Sequence, residues 1–384
     1  MDIKLICDLC KTTDLLLIYE PVGSRRNLKV FICESCGLVQ SFPKVDHVDE
    51  RNVAVSGGAD WGNIRYGKAF RTNHDLTLLD DVLNISELNN CLDVGSNRGN
   101  FINGLYKLNP SIEIWGVEPD KNIMSQNQKN KKLKLINDRV ENVELPEGFF
   151  DLIYCAHTLE HLKSPRDTLN QLNLTLKEGG HIYIEVPNIE FIEAVDVIEE
   201  WFIDKHLYHF SKNVLIQFFE NAGFEIIYSS DNSERENISI IGKKTKLNPS
   251  RPVSDLTNNK RLVSKYDKTM HSNKNRVIEL GNYLNKLAST NKLVIWGAGR
   301  IFDNIVKIGG LDTSKVYGLI DKYLPEFISE TNGLTIHKPI DLSALNPDFI
   351  FICSREYYSE IKKEILKVNK KVKLIGFSQK FNEA

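Results

Sequence analysis

Leu92-Asp93-Val94-Gly95-Ser96-Asn97-Arg98-Gly99 is the stretch on which the reading of the fold turns. Residues 91–94 form a short apolar run of the kind that becomes a buried strand, the two glycines break it, and a helical pattern follows. Gly95 and Gly99 let the backbone come close to a ligand that a side chain would exclude. The spacing, Gly-x-x-x-Gly after an Asp, differs from the Gly-x-Gly-x-x-Gly of dinucleotide sites, so this loop has no pyrophosphate to seat.

Working outward, apolar runs at 112–117, 133–136, 152–155 and 181–186 alternate with helical patterns. That alternation predicts βαβ units and a parallel sheet with right-handed crossovers, an α/β Rossmann-like fold. After a helical stretch at 214–221, residues 224–228 and 238–241 are expected to pair as an antiparallel hairpin at the end of the sheet.

The strand ends carry the chemistry. Twenty-three residues after Gly95 the second strand ends in Glu118, within Gly116-Val117-Glu118-Pro119, where a carboxylate can accept both hydroxyls of a ribose. Asn137-Asp138 ends the third strand and is placed to meet a nucleobase amine, and His157 leaves the fourth strand at the far end of the same ligand. This ordered set resembles the S-adenosylmethionine-dependent methyltransferases of the Rossmann-like class over roughly residues 65 to 245. The resemblance implies S-adenosyl-L-methionine as cofactor, lined by Asp93, Gly95, Gly99, Glu118, Asp138 and His157, with His157 at its amino-acid end.

Four of the seven cysteines fall in the first 36 residues, as Cys7-Asp8-Leu9-Cys10 and Cys33-Glu34-Ser35-Cys36. Two Cys-x-x-Cys knuckles separated by 22 residues can place four thiolates tetrahedrally around one Zn2+. With no open position such a site is structural, and residues 1–50 read as a zinc ribbon. Cys91, Cys155 and Cys353 stand singly in apolar runs and read as core thiols.

A chain of 384 residues is long for one core, and its 41% hydrophobic and 26% charged content is that of a globular protein. Lys plus Arg (49) nearly balances Asp plus Glu (51), which leaves no net positive field for a nucleic-acid backbone or an anionic membrane. A small-molecule substrate is expected. The N-terminus reaches Asp8 before an apolar signal core forms, and no run is long enough to span a bilayer, so the expected location is the cytoplasm.

The boundaries that follow are a ribbon at 1–50, a methyltransferase-like domain at 60–245, a linker and helix at 246–285, and a C-terminal α/β domain at 286–384. Residues 243–273 are polar, with Pro249 and Pro252, and read as an exposed excursion before a helix at about 275–288. In the last domain, strands are expected at 293–296, 316–320 and 349–352, with a turn at Gly297-Ala298-Gly299-Arg300 and Asp321 ending the second strand. This is half of a Rossmann unit, but Ile301-Phe302 stands where a dinucleotide site has its third glycine. Holding the nucleotide part of a substrate, or packing alone, fits it as well.

Methyl transfer to a protonated nucleophile needs a base, and histidine has the right unperturbed pKa. His161 lies four residues after His157, and His206 lies in Asp204-Lys205-His206-Leu207-Tyr208-His209, which follows the fifth strand. Tyr208 and His209 are further candidates, and Trp61 and Tyr66 could form a lid.

The order of ribbon, methyltransferase sheet and small α/β domain resembles the sugar C-methyltransferases, which act on nucleotide-linked keto-deoxysugars. In that family a His after the fourth strand and a Tyr-His-Glu-His run after the fifth act on an enolised sugar; His161 and His206 match the first and last of those positions. Ile203-Asp204-Lys205-His206 replaces the run here, without its Tyr and Glu, and Ser233-Glu234-Arg235-Glu236-Asn237 replaces a glycine-rich stretch. The resemblance thus implies methyl transfer to a nucleotide-linked sugar in glycan or natural-product biosynthesis, with carbon, oxygen and nitrogen acceptors open. A lipid-linked, aromatic or protein acceptor, or a non-catalytic scaffold that retains the cofactor pocket, are the alternatives.

Overall fold

The structure, a computed structural model, describes residues 5–21, 24, 26–44, 70–124, 132–193, 198, 200–230, 236–245, 253–355 and 357–383. Trp61 and Tyr66, candidates for a lid or for packing alone, lie outside the described residues, as do Pro249, Pro252 and residues 233–235. The chain divides into two compact units, one from 1–52, 68–193 and 201–265, the other from 53–67, 194–200 and 266–384.

The first unit opens with three short strands, β1 (Leu15–Tyr19), β2 (Lys29–Cys33) and β3 (Val39–Phe42), paired antiparallel in sequence. Its main sheet uses β4 (Asn90–Val94), β5 (Glu113–Val117), β6 (Leu133–Ile136), β7 (Phe150–Ala156) and β8 (Leu176–Pro187). A two-residue strand, β9 (Tyr208–His209), follows, and β10 (Phe224–Ser229) and β11 (Asn237–Lys244) complete the unit. The seven strands lie in the order β6-β5-β4-β7-β8-β11-β10. All neighbours from β6 to β8 are parallel, and β11 enters antiparallel between β8 and the edge strand β10.

The α/β sheet expected around the glycine loop is therefore present, and its sequence explains it. Central strands of a parallel sheet are covered on both faces, which requires nearly unbroken apolar runs. In β4 and β7, Cys91, Leu92, Val94, Phe150, Leu152, Ile153 and Cys155 are all buried. Helix Asn100–Leu108 starts directly after Gly99 and buries Phe101, Ile102 and Leu105, one helical face. Leu76 and Leu79 of helix Phe70–Leu83 join the same cluster. Phe101, Tyr154 and Tyr183 stack as a column with centroid separations of 3.7 and 5.2 Å.

The cysteine-bearing strands are stitched to the rest of this unit. β9 pairs antiparallel with β3, Val39 opposite His209 and Gln40 opposite Tyr208, giving a sheet ordered β1-β2-β3-β9. Asp8, within the first knuckle, accepts from Ser164 Oγ at 2.6 Å and from the Arg166 amide at 3.0 Å. Behind the second knuckle, the Asn259 side-chain amide donates to the Gly37 carbonyl at 2.9 Å.

The polar stretch expected as a linker differs in part. Residues Leu256–Ala288 form one 33-residue helix, so the helix expected from about 275 begins some five turns earlier. Asn259, Leu262, Val263 and Tyr266 are buried at three- and four-residue spacing, as are Val277, Leu280 and Leu284 further on. The stripe is narrow, and the solvated Lys and Asn around it give the segment a loop-like composition.

The second unit holds β12 (Leu293–Trp296), β13 (Gly318–Ile320), β14 (Glu330–Thr331), β15 (Leu334–His337), β16 (Phe349–Ile352) and β17 (Lys373–Gly376). Their order is β14-β15-β13-β12-β16-β17, parallel except for the β14–β15 hairpin. Asp321, at the end of β13, accepts the amides of Ala298, Tyr323 and Leu324, each at 3.0 Å. Its carboxylate shapes the glycine turn.

Candidate functional site

The site is built at the C-terminal end of β4, where the chain must leave the sheet sharply. Gly95 has φ +78° and Gly99 φ +73°, a region where a Cβ is strained. A Cβ on Gly95 would also lie 2.1 Å from Thr158 Oγ1. The Gly95 and Ser96 amides both donate to the Val117 carbonyl, at 2.8 and 3.1 Å, which folds the loop onto the end of β5. There Glu118, almost fully buried, accepts the Asn97 amide at 2.9 Å and the Asp120 amide at 3.0 Å. Asn137 closes the next corner by donating to the Glu118 and Pro119 carbonyls.

Asp93 is the acid beneath this loop. It is 1% exposed, and its Oδ2, like the Ser96 hydroxyl, has no hydrogen-bond partner among the described residues. Burial first, and the charge of Glu118 second, push the Asp93 pKa well above the usual carboxylate range. Unsatisfied buried acceptors are costly and scarce in folded proteins, so their gathering beside a glycine loop marks a place for a polar ligand. Their chemistry fits S-adenosylmethionine, which carries hydroxyls, an amine and an ammonium. Asp138, by contrast, is exposed; the Asn142 side chain and the Arg139 amide hydrogen-bond it and hold its pKa low.

His157 leaves β7 at φ +49°, a conformation that costs a non-glycine residue on the order of 1 kcal/mol. Glu185 of β8 holds it twice. The His157 amide donates to the Glu185 carbonyl at 2.8 Å, and its Nε2 lies 3.0 Å from Glu185 Oε1. Burial would raise the Glu185 pKa, but the hydrogen bond and charge of His157, the Arg71 guanidinium 3.5 Å away and the Ser239 hydroxyl outweigh it and bring it down to about 2. Beyond Glu185 lies Asp75, fully buried, contacted by the hydroxyls of Tyr154 at 2.7 Å and Tyr183 at 2.9 Å. Burial and then the Glu185 charge raise its pKa to about 6. The Tyr183 hydroxyl also reaches Glu185 Oε2 at 3.3 Å, and one hydroxyl proton serves both acids only if Asp75 carries its own.

His161 and His206 come together. Their rings lie 4.9 Å apart, His161 on the short 3-10 turn Leu159–His161 and His206 on the loop before β9. The His161 Nδ1 lies 2.7 Å from the Lys205 carbonyl, and the Leu207 amide donates to the Glu160 carbonyl at 2.8 Å, which locks the two loops. Burial, followed by the charges of His161, His209 and His157, depresses the His206 pKa well below the ordinary imidazole value, although the residue as a whole is only half-buried. Tyr208 and His209 belong instead to the ribbon junction. The Tyr208 hydroxyl donates to the Lys163 carbonyl, and His209 Nε2 lies 3.0 Å from Ser41 Oγ, with burial lowering its pKa to about 3.

The four knuckle cysteines converge, Cys7 and Cys36 Sγ 3.6 Å apart and Cys10 and Cys33 Sγ 3.5 Å apart, all four within 4.8 Å of one another. Thiolates of a tetrahedral zinc site, each about 2.3 Å from the ion, lie about 3.8 Å apart, so the cluster has the size of such a site. Cys91, Cys155 and Cys353 are buried singly, and burial raises each thiol's pKa.

Several residues that matter here were not singled out by the sequence. Glu160, Glu185, Asp75, Ser96 and Thr158 all contact or flank the site. Ser96 stands inside the glycine loop, and Thr158 and Glu160 lie between His157 and His161; Glu185 and Asp75 are brought in by contacts between distant segments. Among the described residues, no helix is long and apolar enough to cross a membrane.

Comparison with known proteins finds methyltransferases. Residues 68–229 match the family model "Methyltransferase domain", and residues 289–375 match the model "C2185-like, N-terminal". A tRNA U34 carboxymethyltransferase of Syntrophotalea carbinolica is 26% identical over 136 residues, covering 29% of this chain and 42% of the relative. The mitochondrial ubiquinone biosynthesis O-methyltransferase of Schizosaccharomyces pombe is 26% identical over 152 residues, covering 36% and 54%. The chain spans about half the length of the curated relatives it matches. Among solved structures, an S-adenosylmethionine-dependent methyltransferase from Clostridium acetobutylicum aligns at 15% identity and a TM-score of 0.39, covering 48% of this chain and 96% of that one. Residues 68–229, which carry the glycine loop and the buried acids, thus match a methyltransferase domain.

Proposed function

We propose that this protein transfers a methyl group from S-adenosyl-L-methionine to a nucleotide-linked sugar, and that the loop from Asp93 to Gly99 is its cofactor site. The observation that carries the cofactor reading is the pair of buried polar atoms without hydrogen-bond partners among the described residues, Asp93 Oδ2 and Ser96 Oγ, beside a loop whose glycines admit a ligand. When bound, the cofactor supplies an electrophilic methyl carbon on a sulfonium. Glu118 accepts the ribose hydroxyls, Asp138 takes the adenine amine and His157 orients the amino-acid end. His161 or His206 takes the acceptor's proton; the depressed pKa of His206 keeps that ring neutral at pH 7.

The sugar rests on the resemblance of the whole chain, with support from a converged cysteine cluster and a parallel α/β sheet at the C-terminus, the two other modules of sugar C-methyltransferases. The cluster holds a structural zinc in this reading, and thiols kept for a metal suit a reducing compartment such as the cytoplasm. A hydroxyl acceptor stands beside the carbon one, because the Tyr and Glu of the family's run are absent and a matched relative is named an O-methyltransferase. The test is to incubate the protein with methyl-labelled cofactor and a panel of keto and non-keto nucleotide-sugars. Label in a nucleotide-sugar, mapped by mass spectrometry, supports the reading and assigns the atom. Bound cofactor without transfer to any panel member removes the sugar.

A further inference from the structure

Glu160 is a buried acid, 1% exposed, with both carboxylate oxygens unsatisfied among the described residues. What faces it is imidazole: His161 Nε2 at 3.6 Å and His157 Nδ1 at 3.7 Å from Oε1, with a nitrogen of His206 close by. The Glu160, His161 and His206 ligand atoms all lie within 4.8 Å of one another.

The tautomer of His161 sharpens the problem. A carbonyl only accepts, so Nδ1, 2.7 Å from the Lys205 carbonyl, is the protonated nitrogen. In the neutral ring Nε2 then turns a lone pair toward a carboxylate oxygen, acceptor against acceptor. A cation between them resolves this, and the spacing suits one: nitrogen and oxygen ligands about 2.1 Å from a tetrahedral ion stand about 3.4 Å apart. The Nδ1–carbonyl bond is also the outer contact that metal-bound histidines make to fix their tautomer.

We propose that Glu160, His161 and His206 form a second metal site, distinct from the four cysteines, that binds one divalent first-row transition ion through two imidazoles and a carboxylate. Three protein ligands leave coordination positions open, unlike the closed cysteine site, so the ion is of the catalytic type. It would place a Lewis acid where the acceptor is expected, and an acceptor hydroxyl bound there loses its proton more readily. With the ion bound, His161 and His206 give their lone pairs to it and the acceptor's proton passes to solvent water; proton abstraction by either ring belongs to the metal-free protein. This extends the methyl-transfer reading, but the binding stands or falls without it.

The experiment uses the full chain with its cysteine site already loaded with zinc, no cofactor and no sugar, titrated with cobalt(II). The expected result is one further equivalent per chain, with d–d absorption of a nitrogen and oxygen site and no thiolate charge-transfer band. It should be lost in Glu160→Gln and in His206→Gln, while both variants keep the cysteine-site zinc and the wild-type circular dichroism. Should His206→Gln fail to fold, Glu160→Gln alone carries the comparison, since it keeps the side-chain shape. No additional equivalent in the wild type, or one that persists in folded Glu160→Gln, overturns the site and leaves a His161–Glu160 ion pair. Cofactor binding is measured separately, so its failure and that of the metal site are read apart.

Discussion

Oε1 of Glu185 lies 3.0 Å from Nε2 of His157, and this contact anchors a left-handed residue at the mouth of the proposed cofactor site to a network that ends at buried Asp75. Glu185→Gln keeps the shape and removes the charge that holds the imidazole. We expect cofactor affinity to fall about tenfold, roughly 1.4 kcal/mol, with a stability loss of about 1–3 kcal/mol from the buried network. Calorimetric titration and denaturant unfolding measure the two. His157→Gly separates backbone from side chain, because it relieves φ +49° while deleting the ring, and should weaken cofactor binding with little stability loss.

Asp75 makes stability depend on pH in a defined direction. Its folded pKa, raised to about 6, lies above the unfolded value of about 3.9, so folding takes up a proton between the two. The stabilisation from this group is fully present below pH 4 and is lost as pH rises through 6. Glu185, at about 2, stays ionised throughout that window. Unfolding curves of wild type and Asp75→Asn at pH 5 and pH 7 should diverge: the wild type gains on the variant by about 1 kcal/mol at the lower pH. A difference that does not change with pH would mean that Asp75 does not titrate between pH 5 and pH 7.

Much of this was legible in the sequence because it is local. The strand, glycine loop and helix around Asp93 follow from an apolar run, two glycines and the spacing of Phe101, Ile102 and Leu105, and the cysteine cluster follows from two knuckles. What was not legible depends on pairing across long separations. Nothing in Tyr208-His209 announces a two-residue strand against Val39-Gln40, and that pairing sets both residues beside the cysteine-bearing strands. The Asp75 network joins a helix at 70–83 to β7 and β8 through tyrosine hydroxyls. The helix at 256–288 was hidden by a buried stripe too narrow to outweigh its polar faces.

The cysteine cluster should matter beyond its own strands. Cys33→Ser removes one of the four cysteines proposed to hold zinc; if they do, zinc content and melting temperature both fall, the latter by several degrees. Since β3 pairs with β9, the loss should reach the loop bearing His206 and show as faster amide exchange at Tyr208 and His209. Cys155→Ser, at a buried thiol outside the cluster, should leave metal content unchanged. Equal metal content in wild type and Cys33→Ser would remove zinc from the site.

Gly95→Ala tests the loop. The new Cβ meets Thr158 Oγ1 at 2.1 Å, and φ +78° adds strain of about 1 kcal/mol, so the loop must shift. Cofactor affinity should fall at least tenfold, with a smaller effect on unfolding. Adding Thr158→Ala should recover part of the affinity by removing the clash, while the strain stays.

The central claim is that the loop above Asp93 is the cofactor site, and the most direct measurement is calorimetric titration of S-adenosyl-L-methionine into the full chain and into Glu118→Ala. One site per chain in the wild type, weakened at least tenfold by Glu118→Ala in a protein that still folds, is the predicted result. No binding to the folded wild type, or equal affinity in the two proteins, would contradict it.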